Sequence, residues 1–441
     1  MKKNKIRIGC GAGFSGDRLD PAVKLVKDGE LDYLVLECLA ERTIALAQKR
    51  KMANPELGYD PLLEARIESL LPLLLEKRTV LISNMGAANP VAAGKKILEI
   101  AANMGLKVKV AVVSGDDVVD KLSPEMVVLE NGKELSSLGK IISGNAYLGV
   151  EAVLPAFQHR PDIIITGRVA DPSLFLAPMV HEFGWDLGDY SKLGKGTVVG
   201  HLLECAGQLT GGYFAEPVMK PIPGMENLGH PYADIFENGE CIISKVEGTG
   251  GEISVAIAKE QLLYEVINPF AYLTPDVEAD FSSVSFSQLG KNKVSVKGGG
   301  GKIKPEKLKV SVGYEAGWLG EGEISYAGVY AKERGKLAGE IINKRIGELF
   351  DELKVDLIGI NSLHSQISDE DSLPYEVRLR IAGKSKEKHL AERLGHEVEA
   401  LYTNGPAGGG GARKYITQLV GIVSILLDRE KIKSQVHLFE N

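Results

Sequence analysis

Over the first 180 residues, short and nearly uninterrupted apolar runs alternate with longer stretches of helical period. The runs Ile6 to Gly9, Tyr33 to Glu37, Val80 to Ser83, Val108 to Val113 and Ile163 to Thr166 lack the apolar–polar alternation of a half-exposed strand. They suit parallel strands covered on both faces. Strands of that kind separated by helices are the mark of an α/β lobe. A repeated device announces the helices, a capping residue followed by proline: Asp20-Pro21, Asp60-Pro61, Asn89-Pro90, Ser123-Pro124 and Asp171-Pro172. The cap side chain can accept from unpaired amides of the first turn, and proline fits the first helical position.

Several of these helix starts follow a strand through a short loop, so the loops gather on one rim of the sheet, beyond the strands' carboxyl ends, where open α/β sheets bind ligands. The rim then carries Asp17, Arg18, Ser83, Asn84, Arg168 and Asp171, with Glu37 ending the second strand and Asp116 and Asp117 following the fourth.

From 184 to 284 the pattern turns irregular, with glycine- and proline-rich joints, and reads as an insertion or lid. Within it, Asn238-Gly239 between two apolar runs predicts a hairpin, because both central positions of that turn need positive φ. Residues 285–441 read as a second lobe, with strands at Lys293 to Lys297, Leu308 to Val312, Val355 to Ile360 and Val377 to Ile381. Its predicted helices are Lys332 to Leu353, with Leu337, Ile341, Ile346, Leu349 and Phe350 on one face, Lys386 to Leu401, and a C-terminal Lys414 to Leu427. The fold class expected is α/β: a mostly parallel, layered first lobe of doubly wound type over 1–284, and a smaller α/β second lobe over 285–441.

Composition adds limits. At 441 residues the chain exceeds the size at which one core stops growing, and 44% apolar residues can fill two. A net charge of -7 gives no general attraction to nucleic acid. No apolar run approaches the roughly 20 residues that span a bilayer, and the lysine-rich start passes straight into a strand, so a cytoplasmic protein without a membrane segment is expected. Cys10, Cys38, Cys205 and Cys241 are far apart and form no C-x-x-C pair, which speaks against a disulfide framework or zinc ribbon.

Gly11-Ala12-Gly13-Phe14-Ser15-Gly16 has the spacing of a dinucleotide loop, with Glu37 where a ribose-binding acid would sit. In a dinucleotide fold the helix begins inside the glycines; here the helix start lies at Asp20-Pro21, and Asp17 would repel phosphate. An active-site loop is the better reading, with an NAD-dependent oxidoreductase kept as an alternative. The run Gly405 to Gly411, followed by Arg413 and Lys414, reads as a glycine-rich segment entering a helix N-terminus, so Gly408, Gly409, Gly410, Gly411, Arg413 and Lys414 are the anion-binding candidates. His201 and Glu204, three apart on a helix, are too few for a metal and read as a structural or surface hydrogen bond. No nucleophile elbow appears. What remains is a set of carboxylates, an amide and an arginine: Arg168 to anchor a substrate carboxylate, Asn84 to donate to it, Asp17 or Glu37 as acid or base, and Asp171 as proton carrier or, more simply, helix cap.

The segments Gly13 to Arg18, Asn84-Met85-Gly86, Thr166 to Pro178, Gly200 to Cys205, Thr210 to Phe214, Glu247 to Gly251, Tyr272 to Val277 and Gly405 to Gly411 together resemble the acyclic terpene utilisation protein A family, in the same order from about residue 6 to 427. The resemblance implies catabolism of branched carboxylic acids through acyl-CoA intermediates, with coenzyme A present as part of the substrate rather than as a cofactor. Longer relatives end in a small ferredoxin-like domain that this chain stops short of, so a separately encoded small subunit of that fold is an implied partner, beside a homo-oligomer. The activity expected is of lyase, hydratase or isomerase type; a non-catalytic scaffold or ligand-sensing subunit is the competing class.

Overall fold

A computed structural model of the chain describes residues 3–364 and 374–441, leaving Met1 and Lys2 of the basic start outside. The five expected strands form: β1 (Lys5–Ala12), β2 (Tyr33–Leu36), β3 (Val80–Ser83), β4 (Lys109–Ser114) and, after β5 (Ile141–Ala146), β6 (Ile163–Thr166). The pairs β1–β2, β2–β3, β3–β6 and β6–β4 are all parallel, giving the core order β1-β2-β3-β6-β4. Alternate residues point to opposite faces of a strand. Leu34, Leu36, Leu81, Val110, Val112, Ile163 and Ile165 bury against α1 (Asp20–Asp28), α3 (Leu63–Lys77) and α4 (Pro90–Asn103). Beyond α2 (Glu41–Ala53), the helices α5 (Val150–Phe157), α6 (Asp171–Phe183) and α7 (Tyr190–Glu204) cover the other face, where Tyr33 reaches Glu182 of α6 at 2.8 Å. The doubly wound α/β expectation holds.

The sheet is wider than the parallel core. The Asn238-Gly239 hairpin forms, with Gly239 at φ +82°; its first strand β7 (Pro231–Phe236) pairs antiparallel with β1, and β8 (Cys241–Lys245) pairs antiparallel with β7. Part of the expected lid is therefore structural sheet. Ser285–Gly290 and Lys293–Lys297 add two further strands beyond β8, and the C-terminal Gln435–Glu440 pairs antiparallel with β4. Accordingly the chain divides into one compact unit of residues 1–137, 142–313 and 422–441 and a second of 138–141 and 314–421, a division later than 284/285 and with the C-terminus returned to the first unit.

The second unit runs strand, helix, strand, strand, helix, strand, in sheet order 352–358, 376–385 and then its parts of the long strands 307–327 and 410–428. This is the ferredoxin-like split βαβ arrangement. Its helices Ala331–Ile346 and Lys388–Glu399 pack on Leu357, Val377, Leu379 and Ile381. The first helix ends at Ile346 rather than 353 and buries Ala338, Ile342 and Ile346, while Leu337 and Leu349 are exposed. The expected helix Lys414 to Leu427 is instead part of the strand Gly410–Asp428. Ile416, Thr417, Val420, Ile422, Val423 and Ile425 are β-branched, and such residues pack better on a pleated surface than round a helix.

The Xaa-Pro caps are less uniform than their spelling. Asn89 caps α4, accepting from Ala92 N at 3.4 Å, and Asp60 accepts from Leu62 N at 2.7 Å just ahead of α3. Asp20 and Asp171 are the first residues inside their helices and cap nothing, and no helix follows Ser123-Pro124.

Candidate functional site

The carboxyl ends of the parallel strands deliver the expected residues to one rim of the first unit. A cavity of about 1330 Å³ opens there, lined by the Gly13–Arg18 loop after β1, Glu37 to Glu41 after β2, Arg168 to Pro172 after β6, and Glu204 to Gln208 at the end of α7. The Tyr272–Pro275 and Pro305–Lys309 segments and His230 complete its wall. Two glycines permit this crowding. A Cβ on Gly13 would lie 2.7 Å from the Cys205 backbone, and one on Gly167 would lie 2.2 Å from the Asp116 carboxylate. The glycine after β1 is thus explained by contact with α7, and α1 begins only at Asp20, past the glycine motif.

Arg168 is buried in the wall. Its Nη2 donates to Asp171 Oδ1 at 2.7 Å, its Nη1 donates to the Leu39 carbonyl, and its guanidinium stacks on the Tyr147 ring with 4.1 Å to the centroid. Both terminal nitrogens are therefore engaged, and the bidentate fork expected for a substrate carboxylate is already in use. Its Nε has no partner. Asp171, which the sequence suggested as a cap, is instead the counter-ion of Arg168, with Ala170 at the cap position.

Glu37 is fully enclosed, and burial, reinforced by the charge of Asp171, pushes its carboxyl well above the usual range despite Arg168. Asp171 is raised in the same direction by burial, against the pull of Arg168. Asn84 does not line the cavity. Its Nδ2 donates to Glu37 Oε1 at 2.8 Å and its Oδ1 accepts from Cys38 N at 2.7 Å, so it holds Glu37 in place rather than meeting a ligand. Asp116 accepts from Arg168 N at 2.9 Å and from Asn145 Nδ2 at 2.8 Å, and burial lifts it to about 6.

Asp17 lines the cavity with its carboxylate tied to the loop amides of Gly13 and Arg18 at 2.9 and 2.8 Å. His230 Nε2 lies 3.8 Å from Asp17 Oδ1, while His230 Nδ1 meets the Gly11 carbonyl at 3.2 Å. A carbonyl only accepts, so Nδ1 carries the proton and Nε2 is left as acceptor in the neutral ring. Burial lowers the His230 pKa and Asp17 only partly offsets this. The pair His201–Glu204, joined at 2.8 Å, is buried rather than superficial, and Glu204 is on the cavity wall. Glu41 accepts from Tyr147 Oη and lies 3.1 Å from Lys309 Nζ, and against burial these contacts, with the charge of Arg168, hold its carboxyl down at about 2. His230, Glu41, Tyr147 and Lys309 carry no motif, and all but Glu41, which ends the wall segment after β2, meet the site only through contacts distant in sequence.

The proposed anion site has a different setting. Gly408 to Gly411, Arg413 and Lys414 belong to the second unit and lead into a strand, so the helix N-terminus that motivated them is not there. Lys414 Nζ pairs with Glu399 at 2.6 Å, and Gly408 and Gly411 adopt φ of +74° and +65°. Among the described residues, no three His, Cys, Asp or Glu side chains are grouped to hold a metal ion, and no helix is long and apolar enough to cross a membrane.

The chain is an α/β protein of the doubly wound class with a cavity at the carboxyl rim of its parallel strands, the place where proteins of that class bind small molecules. The family profile described as acyclic terpene utilisation family protein AtuA matches residues 6–438, nearly the whole chain, and the protein belongs to that family. No curated protein and no solved structure matches it at a significant level.

Proposed function

We propose that this protein is a catabolic enzyme that moves protons beside the carbonyl of an aliphatic carboxylic acid or its acyl-CoA thioester, in a reaction of hydratase, lyase or isomerase type. The observation that carries this reading is Arg168, a buried cation on the cavity wall whose Nε has no partner, set between its counter-ion Asp171 and Glu37, a carboxyl that burial drives toward its protonated form. An N–H aimed from a desolvated cation stabilises negative charge developing on a carbonyl oxygen, and a protonated carboxyl can supply a proton to that oxygen or to a departing hydroxyl. Asn84 positions Glu37, and neutral His230 beside Asp17 offers an acceptor on the same cavity. Membership of an acyclic terpene utilisation family supports the catabolic role. The wall residues Phe14, Leu39, Leu228, Leu273, Leu308 and Leu426 suit an aliphatic chain, and the cavity exceeds the roughly 300–1000 Å³ usual for small ligands.

Thermal shift with branched enoyl-CoA and hydroxyacyl-CoA thioesters, the free acids and NAD tests the reading. Stabilisation by a thioester or acid, lost in Arg168→Ala, is the expected result. Stabilisation by NAD alone would revive the oxidoreductase alternative, and a response to none of them would favour the non-catalytic class.

A further inference from the structure

Among the described residues, two buried ionic groups on the cavity wall leave an atom without a partner: Arg168 Nε and Glu204 Oε2. The first is used above. The second belongs to a pair whose geometry is more specific than a structural ion pair requires. His201 Nδ1 holds Glu204 Oε1 at 2.8 Å, and His201 Nε2 meets the Leu262 carbonyl at 3.2 Å. Because a carbonyl can only accept, Nε2 carries a proton in every state of the ring, and a single further proton is shared between Nδ1 and Oε1. The pair is either imidazolium with carboxylate or imidazole with carboxylic acid. Tyr272 and Phe281 flank the imidazole with ring centroids 5.2 and 5.4 Å away, fixing its plane and keeping water from it. Oε1 is thereby anchored, and Oε2 is left without a partner on a residue that lines the cavity. Buried carboxylates that serve only structure tend to have both oxygens satisfied.

We propose that Glu204, held by His201, is the base that removes the proton from the substrate carbon next to the carbonyl. This rests on the reaction class proposed above and names the residue that performs its first step. The C–H bond breaks, its proton passes to Oε2, and its electron pair moves into the carbonyl to give an enolate whose oxygen faces Arg168 Nε–H. Return of a proton from Oε2 to carbon reverses the step. Glu204 is catalytic in this scheme and His201 is a positioning residue that keeps Oε1 charged and immobile. Burial lifts the Glu204 carboxyl to about 7, with His201 opposing the rise, which suits a group that must both take and release a proton near neutrality.

The test is wash-in of deuterium at the carbon beside the thioester carbonyl of isovaleryl-CoA and hexanoyl-CoA, followed by mass spectrometry in D2O, with binding measured in parallel by thermal shift. Wild type is expected to bind and exchange. Glu204→Gln should bind but exchange about 100-fold more slowly or less. Glu204→Asp, which keeps the charge and withdraws the oxygen, provides a second variant should the first fold poorly; it should also exchange slowly while keeping the wild-type pH profile. His201→Asn retains a donor but no cation, and should move the pH profile of exchange, an effect that a packing role would not produce. Wild-type exchange rates in Glu204→Gln or in a folded Glu204→Asp would overturn the assignment and leave the reaction class standing. Neither binding nor exchange by the wild type would overturn both.

Discussion

Each unit carries a concentration of charge, and the two are built on opposite principles. In the second unit, Arg378 reaches Glu323 at 2.5 Å, while Arg380 reaches Glu321 at 3.1 Å and Asp356 at 3.4 Å, across neighbouring strands of the sheet. Their partners are complementary and near, both arginines are part-exposed, and the set closes on itself. In the first unit, Glu37, Arg168 and Glu204 lie buried and Asp171 half-buried at the sheet's rim, with one cationic and one anionic atom left without a partner on residues that line a cavity. Desolvating an ion costs several kcal/mol unless it is well paired, so a fold selected for stability alone has little reason to keep such a set. Open valences in a buried cluster separate a site from a scaffold better than the number of charges does.

The contrast is broken most directly at Arg168. Arg168→Ala removes a buried cation that pairs with half-buried Asp171 at 2.7 Å and should destabilise the protein by about 2–4 kcal/mol at neutral pH in chemical denaturation, the buried-pair cost reduced by the solvent at Asp171. The loss should shrink in acid, because both Asp171 and Glu37 are held down by Arg168 and without it would take up protons more readily. An equal loss at all pH values would mean that Arg168 acts through packing on Tyr147 rather than charge.

A smaller effect is expected one layer behind the cavity. Asn84→Ala strands the buried Cys38 N and leaves Glu37 Oε1 with the Leu39 amide alone, and should cost about 1–3 kcal/mol. Because the Asn84 amide stabilises the charged form of Glu37, its loss should also raise that carboxyl further, visible as a shift in the pH dependence of ligand binding. Binding unchanged in strength and pH profile would detach Glu37 from the site.

The Glu204 pair gives a pH signature. Glu204 is raised from 4.5 to about 7 on folding, so the folded state holds more protons than the unfolded chain in that window. Stability from this group is then fullest below about 4.5 and falls as pH rises through about 7. His201, raised above 6.5, contributes stability that likewise fades as pH climbs. Glu204→Gln should flatten the decline in denaturation midpoints between those limits. A decline of unchanged slope would place the titration elsewhere, with Asp116 the next group to test.

How much of this could be read in the chain follows from where the signals lie. Continuous apolar runs such as Ile163-Ile164-Ile165 specify buried parallel strands locally, and the rim order follows from strand direction, so the positions of Asp17, Glu37, Arg168 and Asp171 were legible. The hairpin at Asn238-Gly239 was legible because its turn chemistry is confined to two residues. The Gly405–Gly411 run misled because glycines precede strands as readily as helices, and the β-branched residues after it were the stronger signal. The roles of Asn84 and Asp171 were hidden for another reason: what they bond to is set by packing between distant segments, and no spacing in the chain records that Arg168 would already hold Asp171. His230 shows the limit most plainly, since its partners at Gly11 and Asp17 lie more than 200 residues away.

The smallest expected effect tests the comparison from the other side. Arg380 is about a third exposed, its partner Glu321 keeps access to solvent when it is removed, and salt screens what attraction there is. Arg380→Ala should therefore cost no more than about 1 kcal/mol, and should leave ligand binding in the first unit untouched. Asp356 is the one buried member of that cluster and keeps a second partner in Lys354 at 3.3 Å, so it is not stranded. A loss approaching that of Arg168→Ala would mean that pairing across a sheet can bind charge as tightly as burial does. The open valences at Arg168 and Glu204 would then lose their standing as the mark of a site.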